Sequence, residues 1–363
     1  MREFLSKNTN DEIRIDWFID ERFSGILRNS PIISNLHALP FKKWLKSPFG
    51  IYKIYRYMRS LREYDVVIDM QGLLKSALLG RLLHAKKFVG FSKRGCREGL
   101  ASIFYNQRVD ISYDTNILVR NFTLALSALG AFKQEILQNT NAESLESAIM
   151  SLPEFRQMIS LRDKAFGVDS LNLAIFSDAF LAHKKATLQS TRHNYTPEFP
   201  SELAESKKFL FIIEASIMEK IYPIDSYIAL AQMLYCYYKN VDFYILWNTN
   251  ENDANRLVQE LESRNIRAIK LPALDLNSVK FTLKNMDIII GGDTGITHLG
   301  WAIGACSIAL LGNQKHSSGK NMRHTRLKRV LLGNPYILSK SGEFEISSIP
   351  PKAIFDCIKA QIM

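Results

Sequence analysis

The chain has 363 residues, of which 47% are hydrophobic and 23% charged, which is enough for two domains with cores of their own. It has no apolar run near the ~18 residues of a membrane-spanning helix. Its four scattered cysteines form no Cys-x-x-Cys pair, which argues against a zinc site and predicts a reducing, cytoplasmic location. The net charge of +11 indicates an acidic partner, for which nucleic acid, anionic lipid and a phosphorylated substrate are all candidates.

The first part of the chain predicts one strand and one basic segment. Residues 13–19 alternate in a way that is typical of a strand, and a short helix follows. Residues 41–62 mix basic and aromatic side chains, and the part from Ile51 onward predicts a basic helix. Two interpretations stay open. The helix forms a surface for anionic lipid head groups, or it is a linking helix with solvated basic side chains and an aromatic face on the core, which is slightly favoured.

The next elements carry basic side chains near predicted strand ends. The predicted strands cover residues 66–69 and 88–91, and the helices cover 73–83 and a segment that ends near Gly130. Lys75, Arg97 and Arg120 would converge at the carboxyl ends of these strands and form a pocket for an acceptor rich in carboxylates and phosphates. The alternative for any one arginine is a surface ion pair, because arginine is usually exposed.

The middle of the chain, residues 131–207, gives a weaker pattern. Residues 171–176 predict a strand, and residues 182–207 predict a loop or an insertion. We place the boundary between two domains within residues 150–170.

The second half alternates between strands and helices. This pattern predicts a parallel, doubly wound sheet, in which ligands bind at the carboxyl ends of the strands. The predicted strands cover residues 209–213, 243–247, 267–271, 288–290 and 306–311, and the predicted helices cover 224–238, 251–264, 276–284 and 351–362.

Residues 286–300 combine a strand, a glycine turn and a helix start. Two glycines end the predicted strand, Asp293, Thr294 and Gly295 form a polar turn, and a helix opens at Thr297. The free N–H groups and the dipole of such a helix start favour an anion such as phosphate. A carboxylate repels phosphate, so Asp293 fits better as an acceptor for sugar hydroxyls beside it. An ordinary turn with Asp293 as the helix cap is an equally supported alternative.

Two motifs carry a family resemblance. Asp-Thr-Gly-Ile-Thr-His at residues 293–298 resembles the Asp-Thr-Gly-x-Ser/Thr-His signature of the ADP-heptose:lipopolysaccharide heptosyltransferases, glycosyltransferase family 9. Residues 64–76, Tyr-Asp-Val-Val-Ile-Asp-Met-Gln-Gly-Leu-Leu-Lys-Ser, resemble the Tyr-Asp-x-x-Ile-Asp-x-Gln-Gly-Leu-x-Lys-Ser segment of heptosyltransferase I. Two separated motifs in the right order are far more specific than either alone.

The resemblance implies a fold and a reaction. The fold is α/β of the GT-B type, with two Rossmann-like, doubly wound domains: an acceptor domain at residues 1–165 and an ADP-heptose domain at 166–350, followed by a helix at 351–363 that packs back on the first domain. The reaction is inverting transfer of heptose from ADP-L-glycero-D-manno-heptose to Kdo of Kdo-lipid A in the lipopolysaccharide inner core. The expected location is peripheral, at the cytoplasmic face of the inner membrane. No metal, other cofactor, nucleic acid or protein partner is expected.

The resemblance also implies roles for site residues. Lys220 would neutralise the diphosphate leaving group, a task in which one well-placed group is worth roughly 3–4 kcal/mol. His298 would either brace its loop or contact the substrate. The implied donor-binding residues are Ser216, Lys220, Asn250, Glu251, Asp293, Thr294, Gly295, His298 and Gly312, with Lys220 and Asp293 as the catalytic ones. The implied acceptor-binding residues are Gln71, Lys75, Arg97 and Arg120.

The chain departs from the resembled family at its start. Family members begin with a strand and a Gly-Asp loop that carries an Asp thought to act as the base. We expect the first domain to lack this initial βα unit, and the chain to be less stable and less active than a form that carries it. Two other interpretations are a non-catalytic remnant that still binds the nucleotide sugar and a nucleic-acid-binding protein. The latter rests on charge alone and lacks a helix-turn-helix, zinc or RNA-binding signature.

Overall fold

The computed structural model describes residues 13–131, 142–167, 206–312, 337–338 and 345–362. The strand pairs among these residues are all parallel, and helices connect them, so the predicted α/β architecture with parallel sheets is confirmed. The strand predicted at residues 171–176 and residues 182–205 of the loop predicted at 182–207 lie outside the described residues, while Lys207, predicted as the end of that loop, already begins a strand.

Two parallel sheets form the first half of the chain. One pairs β1 (Asp16–Asp20) with β2 (Asn35–Leu39), and the other has the order β3 (Tyr64–Ile68), β4 (Ala85–Phe91), β5 (Gln107–Val109). The α-helices are α1 (Phe41–Leu45), α2 (Gly50–Ser60), α3 (Leu74–Leu82), α4 (Ile117–Ala128), α5 (Ala142–Ser151) and α6 (Pro153–Ser160). Short 3-10 helices cover Glu21–Ile26, Gly99–Phe104 and Arg162–Phe166.

A buried carboxylate joins these two sheets. Asp16 accepts hydrogen bonds from Asn35 Nδ2 and from the Tyr64 hydroxyl, both at 2.8 Å, and lies 3.3 Å from the guanidinium of Arg62. Asp16 begins β1 and Tyr64 begins β3, so the amino ends of the two sheets lie together. At the other ends, the pKa of Asp20, which ends β1, is lowered chiefly by its hydrogen bond with Arg22 and also by the charge of Lys75 in the first turn of α3, so the carboxyl ends lie together and the strands run the same way. Their carboxyl ends therefore form one edge, which we call the carboxyl edge of the first half.

One six-stranded parallel sheet forms the second half. Its order is β11-β10-β9-β6-β7-β8, so the chain reverses direction across the sheet between β6 and β9, which are hydrogen-bonded neighbours. Such a switch point opens a crevice at the strand carboxyl ends. The strands are β6 (Lys207–Ile212), β7 (Val241–Leu246), β8 (Ala268–Lys270), β9 (Ile288–Gly292), β10 (Cys306–Leu310) and β11 (Ile337–Leu338). The helices are α7 (Ile224–Tyr238), α8 (Glu251–Glu262), α9 (Leu276–Lys284), α10 (Gly295–Ala302) and α11 (Pro351–Ile362).

The central strands of this sheet are apolar because helices cover both of their faces. Phe209, Phe211, Phe243 and Ile290 are fully buried in one core. None of the helices among the described residues has the length and apolar character to cross a membrane.

The C-terminal helix α11 packs on the second half. Ile354 and Ile358 are buried in the same core as the central strands, and the ring of Phe355 lies 5.6 Å from that of Tyr237 on α7. The expectation that this helix packs back on the first domain is therefore wrong, because its apolar stripe is buried against α7.

A short segment connects the two halves. Arg162 Nε donates to the carbonyl of Trp301 at 2.9 Å. Lys280 on α9 is fully buried, and its Nζ donates to the carbonyls of Arg28 and Phe166, both at 2.8 Å. Residues 162–166 thus contact the second half where the domain boundary was predicted, and a boundary at residue 165 stays a prediction.

The buried Lys280 predicts a pH dependence of stability. Burial, with the nearby charge of Arg28, lowers the pKa of Lys280 to about 8. Between that pKa and the ordinary one, the unfolded chain binds more protons than the folded chain, so this lysine makes the fold more stable as pH rises through that window. The neutral amine still has two N–H groups for its two carbonyls.

We expect the free energy of unfolding of the wild type, relative to that of Lys280→Met, to grow by roughly 1–3 kcal/mol from pH 7.5 to pH 10. Denaturant unfolding of both proteins across this range measures it. A difference that stays constant with pH would show that Lys280 is charged throughout.

Candidate functional site

A buried ion pair lies at the switch point of the second sheet. Lys220 ends the 3-10 helix Met218–Lys220 that follows β6, and Asp293 directly follows β9. Lys220 Nζ donates to Asp293 Oδ2 at 2.6 Å and to the Asp293 carbonyl at 3.1 Å. The two side chains are only 9% and 10% exposed. Removing one partner would leave the other charge buried without its counterion, which typically costs about 3–5 kcal/mol.

The two glycines of the motif make this approach possible. We predicted that they end the strand, but both belong to β9. A Cβ at Gly292 would lie 2.0 Å from the carbonyl oxygen of Lys220, and a Cβ at Gly291 would lie 2.8 Å from Cβ of Ile212. The glycines are therefore places where other backbone and side-chain atoms come close, and Gly292 lets Lys220 reach Asp293.

Helix α10 begins at the turn that follows β9. Thr294 is its cap: the Thr294 hydroxyl accepts from the Thr297 N–H at 3.3 Å. The alternative with Asp293 as the cap is therefore wrong. Thr297 is fully buried with its hydroxyl 3.2 Å from that of Thr294, so it supports the turn and does not face a ligand. A Cβ at Gly295 would meet no atom within 4 Å, so the helix start opens on free space, as close approach of a phosphate requires.

His298 braces this loop. Its Nε2 lies 2.9 Å from Asp293 Oδ1, while its side chain remains one-third exposed. Asp293 is thus held from both sides, by an ammonium on one oxygen and an imidazole on the other. The bracing role that we considered for His298 is present, and a direct contact with a substrate stays a prediction.

Glu214 is a site residue that the sequence did not reveal as one. It follows β6, and its carboxylate accepts from the backbone N–H groups of Asn248, Thr249 and Asn250 at 2.7–3.0 Å. Burial alone would raise the pKa of Glu214, but these hydrogen bonds outweigh it and lower the pKa. Glu214 therefore shapes the loop after β7. The feature of the sequence that indicates such a role is a carboxylate directly after a predicted buried strand.

The remaining predicted donor residues surround this centre at strand ends. Asn250 caps α8 through its side chain, and Glu251 pairs with Lys270 at 2.6 Å on the exposed rim. Ser216 is exposed on the loop between β6 and Lys220, and Gly312 is buried two residues beyond β10. Their donor contacts stay predictions. The described residues include no group of three His, Cys, Asp or Glu side chains that could hold a metal ion, and the absence of a metal stays a prediction as well.

A second buried carboxylate organises the carboxyl edge of the first half. Asp69 Oδ1 accepts from the N–H of Gln71 at 2.9 Å, and Oδ2 accepts from the hydroxyls of Ser76 and Tyr105, both at 2.8 Å. A further N–H, that of Gly72, lies 3.3 Å from Oδ1. Because four donors surround this buried carboxylate, it holds the loop in position.

This loop meets the loop that follows β4. The Glu98 N–H donates to the Gly72 carbonyl at 3.0 Å, and the Glu98 carboxylate accepts from the Leu74 N–H at 2.7 Å. Gly72 has a φ of +64° and lies against the backbone of Arg97, so a side chain there would be strained. The structure thus brings together three of the predicted acceptor residues, which are Gln71, Lys75 and Arg97, all exposed.

Arg120 does not join this group. It is only 2% exposed, its guanidinium donates to the Gly95 carbonyl at 2.5 Å, and it lies over the rings of Phe91 and Tyr113. The prediction that Arg120 binds the acceptor directly is therefore corrected. Its side chain is used inside the core, where it supports the loop that carries Arg97.

Comparisons with known proteins agree with this arrangement. The family model described as glycosyltransferase family 9 (heptosyltransferase) matches residues 54–332. Lipopolysaccharide heptosyltransferase 1 of Campylobacter coli is 28% identical over 370 residues, which cover 98% of this chain and 92% of the relative. The structure of E. coli heptosyltransferase WaaC with ADP matches with a TM-score of 0.65 at 20% identity, over 98% of this chain and 92% of that chain. The structure of the same enzyme with ADP-2-deoxy-2-fluoro heptose matches with a TM-score of 0.64 at 21% identity, with the same coverage. At these identities the structures show a shared fold.

The two glycines at this site predict different effects of the same small substitution on stability. Gly292→Ala places a methyl group against the Lys220 carbonyl, so we expect a loss of roughly 1–3 kcal/mol in the free energy of unfolding. Gly295→Ala points into open space, so we expect unchanged stability. Denaturant unfolding and thermal melting of both variants measure the difference. Wild-type stability of Gly292→Ala would contradict the close contact.

Proposed function

Because the chain belongs to glycosyltransferase family 9, the heptosyltransferases, we propose that it transfers L-glycero-D-manno-heptose from ADP-heptose to a Kdo sugar of Kdo-lipid A, with inversion at the anomeric carbon. The observation that carries this proposal is the buried Lys220–Asp293 pair beside an open helix start at the switch point of a parallel sheet. A relative named lipopolysaccharide heptosyltransferase 1 that aligns with 98% of the chain supports the choice of sugar and acceptor.

The donor would bind at the carboxyl ends of β6 and β9. The diphosphate would lie against the first turn of α10, where the Gly295 backbone is accessible and the helix dipole favours negative charge. Lys220 would stabilise the negative charge that grows on ADP as the bond to the anomeric carbon breaks. In this proposal Lys220 and the helix start replace the divalent ion that often neutralises a leaving diphosphate.

Asp293 would have two tasks in the same step. It holds the ammonium of Lys220 in place by a direct contact at 2.6 Å and supplies the counterion that a buried lysine needs. A carboxylate has about four lone-pair positions, so Asp293 can also accept hydroxyls of the heptose while it is bonded to Lys220 and His298.

The acceptor would bind at the carboxyl edge of the first half. Gln71 and Arg97 are exposed there on two loops that are bonded to each other, and Lys75 is exposed in the first turn of α3 beside them. Arginine and lysine suit the carboxylate of Kdo and the phosphates of lipid A. Since lipid A is anchored in a bilayer, the protein would act at the cytoplasmic face of the inner membrane.

The direct test is transfer with purified substrates. The chain is incubated with ADP-heptose and Kdo-lipid A, and the anomeric configuration of the product is read by NMR. Binding of ADP-heptose without transfer would identify a non-catalytic remnant, and salt-dependent DNA binding without ADP-heptose binding would identify a nucleic-acid-binding protein. Neither alternative has a described structural feature in its favour.

The donor assignment predicts the effect of breaking the ion pair. Lys220→Ala and Asp293→Ala should each lower turnover at least ~100-fold, as expected for removal of a group that stabilises the leaving charge. Arg256→Ala, which removes an exposed ion pair with Asp225 on the same half, is the matched control and should stay within about threefold of wild type. Activity is measured with and without a metal chelator, and we expect the chelator to have no effect. Wild-type turnover in both alanine variants would refute the assignment.

The acceptor assignment predicts that substitutions of exposed and of buried basic residues have different effects: the former impair use of the acceptor, and the latter impair stability. Lys75→Ala and Arg97→Ala should raise the KM for the acceptor while leaving ADP affinity unchanged. Arg120→Met should lower the melting temperature, because the Gly95 carbonyl loses its buried partner. Steady-state kinetics, calorimetry with ADP and thermal melting distinguish these effects. Normal use of the acceptor by Lys75→Ala and Arg97→Ala would move the acceptor site elsewhere.

A further inference from the structure

The outer surface of the first half exposes an unusual amount of apolar side chain. Helix α2 buries Ile54 and Met58, one turn apart, and turns its other face to solvent. On that face and at the residue before the helix, Ile51 is 77% exposed and Phe49 70% exposed. The same face carries two half-exposed aromatic residues, Tyr52 and Tyr55. The linking-helix interpretation expected these rings to pack on the core, and the structure places them outside.

The next two elements extend this surface. Helix α3 packs against α2 through Leu79, Leu82 and Leu83, and the 3-10 helix Gly99–Phe104 packs against α3. Their outward side chains are again apolar. They are Leu74 and Leu78 on α3, and Leu100 and Ile103 on the 3-10 helix. Eight of the thirteen large apolar side chains that are exposed among the described residues lie on this one layer, which we call the α2–α3 face. Large apolar side chains that are exposed together on neighbouring elements mark an interaction site.

The charge of this face is strongly one-sided. Residues 41–62 contain seven lysines and arginines and no acidic residue. Lys53 and Arg56 are exposed among the apolar side chains of α2, and Lys75 and Arg81 lie on the exposed side of α3. Two basic side chains of residues 41–62 are paired, Lys43 with Glu21 and Arg62 with Asp16, and the Glu98 carboxylate beside α3 accepts a backbone hydrogen bond from Leu74. Aromatic and aliphatic groups interspersed with basic ones are the composition that anionic lipid surfaces attract.

The position of the face relates it to the acceptor site. Helix α2 ends near the amino ends of the strands, because Arg62, two residues beyond its end, pairs with Asp16. The start of α2 therefore lies towards the carboxyl edge of the first half. Helix α3 begins directly at the loop that Asp69 holds, and Lys75 lies in its first turn. The apolar face and the predicted acceptor residues therefore adjoin.

We propose that the α2–α3 face docks the protein on an anionic lipid bilayer, with its aromatic and aliphatic side chains at the level of the head groups and its basic side chains against lipid phosphates. This inference rests on the proposed function in one respect. An acceptor that is anchored in a bilayer can be reached only at the membrane surface, and this is why the enzyme needs a docking face. A second copy of the chain is disfavoured as the occupant, because two such basic faces repel each other.

The test is sedimentation with lipid vesicles. The full chain should bind vesicles of phosphatidylethanolamine with 30% phosphatidylglycerol and should not bind phosphatidylcholine vesicles. Ile51→Ser/Tyr52→Ser, which removes apolar contact, and Lys53→Glu/Arg56→Glu, which reverses charge, should each weaken binding by at least ~10-fold. The matched control is Lys352→Glu/Lys359→Glu on α11, which makes the same change of charge on the opposite half and should bind as the wild type does.

Thermal melting verifies that all variants are folded. We expect them to fold, because the substituted side chains are exposed. Equal binding of the face variants and the wild type, or equal binding to both kinds of vesicle, would overturn the proposal. A change of oligomeric state in the face variants, seen by analytical ultracentrifugation, would assign the face to a second copy instead.

The two proposals fail separately. Transfer to a water-soluble Kdo acceptor without acyl chains should be unchanged in the face variants, while transfer to acceptor embedded in vesicles should fall in parallel with vesicle binding. A chain that binds anionic vesicles but transfers no heptose would remove the proposed function and leave the docking face.

Discussion

The second half is arranged around the ion pair between Lys220 and Asp293. It joins two chain segments that follow neighbouring strands of the sheet but lie 73 residues apart in sequence. The pair is nearly buried, so each charge needs the other, and neither residue can move without a large electrostatic cost. Gly292 has no side chain for the same reason, since the backbone of Lys220 occupies that space. The result is a positive group held in a fixed place beside the start of α10, before any ligand binds.

In both halves, carboxylates at strand ends fix the position of the loops that follow. Asp69 after β3, Glu214 after β6 and Asp293 after β9 each accept several hydrogen bonds or a cation, and each fixes the loop that lines the ligand edge. The physical reason is shared. A parallel strand ends with backbone groups that the sheet no longer pairs, and an ionised carboxylate satisfies several N–H donors at once. In this way each of the three carboxylates holds its loop in position.

The two halves divide the work of the proposed reaction according to their surfaces. The second half places a buried charge and a helix start at a crevice, which suits a nucleotide diphosphate. The first half exposes the basic side chains of Lys75 and Arg97, and the apolar and basic α2–α3 face lies beside them. A polar donor and an acceptor with a lipid anchor need such different surroundings.

The sequence by itself determined the features that depend on nearby residues. Strand and helix alternation predicted the parallel sheets, and helices α7 and α9 begin and end at the predicted residues, because Pro223 and the capping carboxylate of Asp275 mark their starts locally. The motif at residues 293–298 likewise predicted a turn followed by a helix, but the helix begins at Gly295 and not at the predicted Thr297, because the Thr294 side chain caps it. The tertiary structure alone decided which side chains are buried. It placed Arg120 in the core, α11 on α7, the N–H groups of the β7 loop on Glu214, Lys280 between the halves and the rings of α2 in solvent. Each of these depends on neighbours distant in sequence, whose approach is set by packing and charge across the whole fold.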